Sequence, residues 1–328
     1  MNERQACEHI SATTIDYRPL GGAMSADHVY GWAEQFPQGS RLSLLREIAH
    51  VLDRTYVSES AWRDFLVNLL TTEELVGDSA EEFWRSVNFF QAQKRGDSQR
   101  EMLEMFDGVL SETLGFGIAE CGSDSGPWVY LDDAIFTGTH VRWDLLDWVR
   151  DTAPTTCVMH VIVIANHPGR VQYTESELQK AAKAAGKTLT TRWWRVKTFE
   201  TRPSRDTEVL WPSVIPDDVN VIKLVEQLSA FGHPPRLRTA VTQATNGVFS
   251  GEIARKHVEQ ELLIAGARLK YELAPALKQN HWPLGYDVLK SMGFGSLLVT
   301  YRNCANNCAL ALWCGDPWRP LFPRETNR

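Results

Sequence analysis

The sequence predicts an α/β protein in three parts: an N-terminal arm and helical layer over residues 1–71, a parallel-sheet core over 72–240, and a C-terminal α+β lobe over 241–328. Residues 156–165, TCVMHVIVIA, are β-branched and apolar on both faces, as an interior parallel strand covered on each side must be. Ahead of them, WVYLD at 128–132 reads as a strand, and Thr139 to Arg150 reads as a helix with Val141, Leu145 and Trp148 turned inward. Strand, acidic turn, helix and strand together make a βαβ unit. From His281 onward, aromatic, glycine and asparagine residues alternate, which predicts the short elements of the lobe.

The other elements follow in order. Residues 1–38 are punctuated by glycine and proline with little periodicity and are expected to wrap the surface as an irregular arm. From Ser40, Leu42, Leu44, Leu45, Ile48, Val51 and Leu52 recur at helical spacing. Ser58 or Ser60 can cap a second helix carrying Trp62, Phe65, Leu66 and Leu69. Phe83, Trp84, Val87 and Phe90 predict a third helical segment over 79–92. Asp97 or Ser98 can cap a helix bearing Met102, Leu103, Phe106, Val109 and Leu110. GFGIAE at 115–120 reads as a short strand. Thr174 and Glu177 form a capping box opening an alanine-rich helix that ends at Gly186, and TLTTRWWRVKT at 188–198 reads as a strand. The segment 202–216 is rich in proline and charge and reads as a loop. Helices are expected at 217–231 and 249–269, the second with Ile253, Val258, Leu262 and Leu263 as its apolar face. There is no internal repeat.

With 328 residues and 43% hydrophobic content the chain can bury a core without staples. Its net charge of −7 provides no global attraction to nucleic acid or anionic membrane. The sequence opens without a basic segment followed by an apolar one, and it holds no apolar run of about 18 residues, so a cytoplasmic protein with no membrane partner is expected. Six scattered cysteines fit reduced thiols. Cys304, Cys308 and Cys314 cluster, but they lack a CxxC pair and a fourth ligand, so buried thiols are expected there rather than zinc.

The chemistry concentrates in WVYLDDAIFTGTH at 128–140. A strand end that delivers Asp132 and Asp133 and then bends through Thr137, Gly138 and Thr139 into a helix suits a sugar phosphate. Backbone amides at the helix start and threonine hydroxyls can cradle a phosphate, and Gly138 lets the main chain come close. The carboxylates can accept from vicinal ribose hydroxyls or hold a hydrated Mg²⁺. Ligands of open α/β sheets bind beyond the carboxyl ends of strands, where this bend lies.

VYLDDAIFTGT at 129–139 resembles the phosphoribosyl pyrophosphate (PRPP) motif of type I phosphoribosyltransferases. The resemblance implies a phosphoribosyltransferase-like core in which Asp132 and Asp133 take the ribose hydroxyls and act at the catalytic centre. Thr137, Gly138 and Thr139, with His140 beside them, would then take the 5′-phosphate, and Mg²⁺ would accompany the ligand. Phe136 stands where purine-using members carry a catalytic acid, and His140 where a further threonine is usual. KRGDS at 94–98 is the candidate pyrophosphate loop, with Lys94 and Arg95 facing the anionic leaving group.

SLLREIAHVLDRTYVSESAWRDFL from residue 43, EIARKHVEQELL at 252–263, GFGSLLVTYRNCANN at 293–307 and WRPLFPR at 318–324 are similar to the PRTase-CE group. The similarity runs from about residue 40 to the end. These are phosphoribosyltransferase-like proteins of bacterial conflict systems, including some retron defence loci. The group implies an antiphage defence effector, and the PRPP motif adds the expectation that, if active, it binds PRPP or a related ribosyl phosphate and transfers or cleaves at ribose C1. Arg302 or Arg324 would add cations at the leaving group, and a reverse transcriptase with its RNA and DNA is a possible partner. The rival expectation is a module without catalysis that senses a nucleotide or assembles a defence complex.

Other features carry plainer readings. Glu252, Arg255 and Glu259 at spacings of three and four are expected to form a solvated ion-pair face. Arg302, Asn303, Asn306 and Asn307 can meet a phosphate or a base edge, or only tie the tail to itself. His160 is expected to be a hydrogen-bonded core residue. Arg192, Trp193, Trp194, Arg195 and Lys197 interleave cations and aromatics as a single-strand binder does, with PPRLR at 234–238 as a helper. Strand alternation would send Trp193 and Trp194 to opposite faces.

Overall fold

The computed structural model describes residues 1–91, 98–136, 138–198, 207–239, 247–274, 277–288 and 291–324. Two units divide the chain: Met1–Glu59 joins Glu200–Arg328 in the first, and Ser60–Phe199 forms the second. The first unit starts with helices α1 (Glu3–Thr13), α2 (Ala26–Ala33) and α3 (Gln38–Thr55). The expected irregular arm is thus helical. In α1, Asn2 and Gln5 form a capping box, and Ala6, Cys7 and Ile10 at spacings of one and three bury a narrow stripe. So few apolar residues give a weak periodic signal, and packing against α2 and α3 supplies what propensity does not.

The second unit builds the sheet. Helices α4 (Glu59–Leu70), α5 (Glu73–Val76) and α6 (Ala80–Ser86) lead into strand β1 (Asn88–Phe89). The chain continues through α7 (Ser98–Leu114), β2 (Trp128–Ile135), α8 (Thr139–Asp151), β3 (Thr156–Asn166), α9 (Pro168–Ala184) and β4 (Thr188–Thr198). Among the described residues the four strands are all parallel, in the order β1-β2-β3-β4. The register aligns Asp132 with Val163 and Arg195, and Ile135 with Asn166 and Thr198, so the strand ends lie side by side. Alternation sends Phe89 and Phe90 to opposite faces. Phe90 joins Tyr130, Leu145, Trp148, Val161, Val163 and Leu178 in the core under α8 and α9, and Phe89 packs with Trp84 of α6 and Phe106 of α7. Each large apolar side chain buried there contributes ~1.5–3 kcal/mol.

Three expectations for this unit are corrected. Residues 79–92 are not one helix, because α6 ends at Ser86 and the pairing of Asn88 and Phe89 with Trp128 and Val129 turns the aromatic run into a strand. GFGIAE holds a short 3₁₀ turn, Ile118–Glu120, in which the Glu120 side chain accepts from the Gly117 N–H, so a local hydrogen bond wins over strand pairing. Helix α9 starts at Pro168, a residue suited to a first helical turn, with His167 as its cap; Thr174 lies inside the helix, 1% exposed.

The first unit resumes with α10 (Val219–Ala230) and α11 (Glu252–Arg268), which runs on into a π-helical turn, Leu269–Leu273. Two antiparallel ribbons follow, β5 (His281–Trp282) with β6 (Gly285–Tyr286) and β7 (Val299–Thr300) with β8 (Asn303–Cys304), and then helix α12 (Leu310–Trp313). Its core joins Trp32, Leu44 and Ile48 to Val258, Leu262, Leu310 and Phe322. Ile253 is 87% exposed and does not belong to the apolar face of α11. The expected solvated ion pairs are a buried network instead: Arg255 Nε donates to Glu259 at 2.8 Å, and Arg238 bonds both Glu259 and Glu252. Arg238 is therefore no free helper for nucleic acid. The described cysteines are free thiols, and Cys304, Cys308 and Cys314 are buried. No helix among the described residues is long and apolar enough to cross a membrane.

Candidate functional site

Strand β2 carries its acids to the carboxyl edge of the sheet because Val129, Tyr130 and Leu131 are fully buried and pin the strand behind them. Alternation places Asp132 on the face of Tyr130, toward α8, and Asp133 on the other face. Asp132 is 5% exposed; its Oδ1 accepts from the Asp133 N–H at 2.8 Å, and its Oδ2 lies 3.3 Å from the Tyr130 hydroxyl. Asp133 is half-buried, and its Oδ1 accepts from the Ala134 N–H at 2.9 Å. The Tyr130 hydroxyl also lies 3.2 Å from Asp144 Oδ2 on α8. Burial, and then the charges of Asp132 and Asp144, push the Tyr130 phenol well above its ordinary range. It stays protonated and has one hydrogen for two carboxylates.

The bend that follows is set by Gly138. Its φ of 70° is left-handed, and a Cβ there would meet Thr174 Oγ1 of α9 at 2.8 Å, so both backbone and packing select glycine. Gly138 is the N-cap of α8 and, without a side chain, caps none of the first-turn amides. The positive end of the helix dipole lies beside Thr139. Helix α9 begins at the end of the neighbouring strand, where His167 Nδ1 accepts from the Gly169 N–H at 3.0 Å. Both helix starts thus face the same sheet edge.

Arg142, one turn into α8, lies between two exposed rings: its guanidinium is 5.3 Å from the Trp143 centroid and 5.3 Å from that of Tyr173, whose hydroxyl accepts from Nη1 at 2.9 Å. Tyr130, Asp144, Thr174 and Arg142 do not emerge from the motif. The spacing of Tyr130, two residues before Asp132 on the same strand face, was the available signal for one of them.

Asp132 and Asp133 lie in the last half of β2, and Gly138 and Thr139 open α8, the next element. Lys94, Arg95 and Thr137 lie outside the described residues, as does the side chain of His140. Arg302 and Arg324 belong to the other unit. There, Asn307 Nδ2 donates to the Tyr286 carbonyl at 2.9 Å and the Asn306 carbonyl accepts from the Tyr286 N–H at 2.7 Å, so these asparagines tie the tail to itself. His160 is 2% exposed, with Nδ1 accepting from Trp194 Nε1 at 3.0 Å, and burial followed by the charge of Arg192 lowers its pKa to about 4. Trp194 thus serves one face of β4, and Trp193 packs into the core of the other.

No group of three or more histidine, cysteine or acidic residues able to hold a metal occurs among the described residues. Two adjacent carboxylates are hard oxygen donors that suit Mg²⁺ only when a ligand and water complete its shell. Residues 29–324 match the family profile PRTase-CE. No curated protein and no solved structure is significantly similar to the chain.

Proposed function

The chain belongs to the PRTase-CE family, and from that premise we propose that it binds PRPP or a related ribosyl phosphate at the carboxyl end of β2. One observation carries this reading: an acid pair near the end of a parallel strand is followed by a left-handed glycine that serves as the N-cap of a helix. The 5′-phosphate sits on the Gly138–Thr139 amides, where the helix dipole favours a dianion. Asp133, the more exposed acid, accepts from the ribose hydroxyls. Asp132, held by the Asp133 amide and backed by Tyr130, fixes the carboxylate pair in register. Bound with the ligand, Mg²⁺ supplies charge neutralisation of the pyrophosphate; Asp132 and Asp133 are the residues that would hold it.

In this reading the protein is an effector of an antiphage defence system that transfers or cleaves at ribose C1. The chain's contribution is to align the leaving group with the nucleophile and to place positive dipoles where charge develops. Phe136, 9% exposed, favours a second reading, in which the same pocket senses a nucleotide without catalysis, because an apolar side chain there can neither accept nor deliver a proton.

Calorimetry with PRPP and Mg²⁺ tests the site. Wild type is expected to bind and Asp133→Asn to bind at least tenfold more weakly with its fold intact; equal affinity in the two proteins removes the assignment. Pyrophosphate release that depends on Asp133 separates the enzyme from the sensor.

A further inference from the structure

Positive charge gathers in the first unit around β5. Lys270, in the π-helical turn, donates from Nζ to the His281 carbonyl at 2.7 Å and stands 4.6 Å from the Trp282 ring centroid. His281 is 9% exposed, and its ring meets Trp313 edge-on at 5.3 Å and Tyr286 at 5.8 Å. The Arg324 guanidinium lies over the same Trp313 ring, 5.1 Å from its centroid. Lys278 adds an exposed ammonium three residues before His281.

Two atoms of this cluster are cut off from solvent and have no hydrogen-bond partner: His281 Nδ1 and Arg324 Nε. Leaving such a group unpaired costs about 1–3 kcal/mol, and folded proteins satisfy nearly all of them. Burial, and then the charges of Lys278, Arg324 and Lys270, press the His281 pKa down to about 4. Burial also lowers that of Lys270. Asp287, on the same ribbon, turns its Oδ2 to the Ser291 hydroxyl at 2.5 Å.

A buried, partly desolvated group of cations calls for an anion. We propose that Lys270, His281 and Arg324, all in the first unit, bind the phosphate group of a small phosphorylated ligand. Arg324 offers a planar fork, Lys270 a point charge and His281 a ring N–H, which together match the several acceptor oxygens of a phosphate. The aromatic rings of Trp313, Trp282 and Tyr286 keep water away and strengthen each contact.

The bound anion supplies the missing counter-charge, so His281 takes up a proton more readily when the site is filled. The test is an NMR titration of the full-length chain with labelled histidine rings, the His281 signal being assigned by its contacts with Trp313. Without added anion the ring is expected to titrate at about 4. Saturating inorganic phosphate should raise that value by about one unit or more, a tenfold change in proton affinity. Arg324→Gln should abolish the shift and Asp133→Asn should leave it in place, which separates this site from the ribosyl one. A larger response to ribose 5-phosphate than to phosphate assigns the site to an ester, and an equal response to the free ion. A His281 pKa unmoved by either, already at its ordinary value before addition, or still shifting in folded Arg324→Gln, overturns the proposal.

Discussion

Gly138 stands at φ 70° with Thr174 Oγ1 2.8 Å from where a Cβ would be, so Gly138→Ala meets two obstacles together. Its expected cost is about 1–3 kcal/mol in denaturant unfolding, with a larger proportional loss of PRPP affinity by calorimetry, because the α8 amides move with the bend. Tyr130→Phe removes the one hydrogen that two carboxylates share; a loss of roughly 1–3 kcal/mol is expected, against little change for half-buried Asp133→Asn. His160 makes stability depend on pH. Its folded pKa of about 4 lies below the ordinary 6.5, so between those values the unfolded chain holds more protons than the native one. Its contribution is complete above pH 6.5, declines as pH falls toward 4 and then levels off, a span of order 3 kcal/mol that His160→Gln should flatten in pH-dependent unfolding. The acids and the glycine of the bend were legible because their chemistry is local. Tyr130, Asp144 and Thr174 were not, because their roles arise from three elements meeting at one edge.

Helix α11 shows how an element can look the same in sequence and differ in energetics. Glu252, Arg255 and Glu259 have the spacing of a surface ion-pair ladder, yet Arg255 and Glu259 are 1% and 0% exposed. The group that changes the outcome is Arg238, which precedes the helix and meets Glu259 at 3.3 Å, and the Trp211 N–H donates to the same carboxylate at 3.0 Å. Burial raises the pKa of Glu259 against the opposing pull of Arg255 and Arg238. Glu259→Gln removes the buried carboxylate that Arg255 and Arg238 share and is expected to cost about 3–5 kcal/mol. Glu252→Gln, at a side chain 63% exposed, is expected to cost under about 1 kcal/mol in the same unfolding assay. The strands β2, β3 and β4 were legible because β-branched runs allow few other conformations. Helices α1 and α2 were not, because a stripe of two or three apolar residues means nothing until a partner covers it.

At the scale of the whole molecule the sheet unit is continuous in sequence and the other unit is not. Ser60–Phe199 contains all four strands and the core beneath α8 and α9, so this fragment expressed alone is expected to give a cooperative thermal transition by circular dichroism. Residues 1–59 alone are expected to remain unfolded, since Trp32, Leu44 and Ile48 pack with Val258, Leu310 and Phe322. A sequence divided into consecutive thirds does not suggest that pairing, because hydrophobic pattern marks what is buried and not against what. During synthesis the first three helices leave the ribosome well before the strands, ribbons and helices that cover them. At about 5–20 residues per second the intervening stretch alone takes on the order of ten seconds to translate, long enough for the sheet unit to close first. The nascent amino-terminal segment spends that interval with its apolar stripe uncovered, which makes it the part of the chain most dependent on chaperone protection.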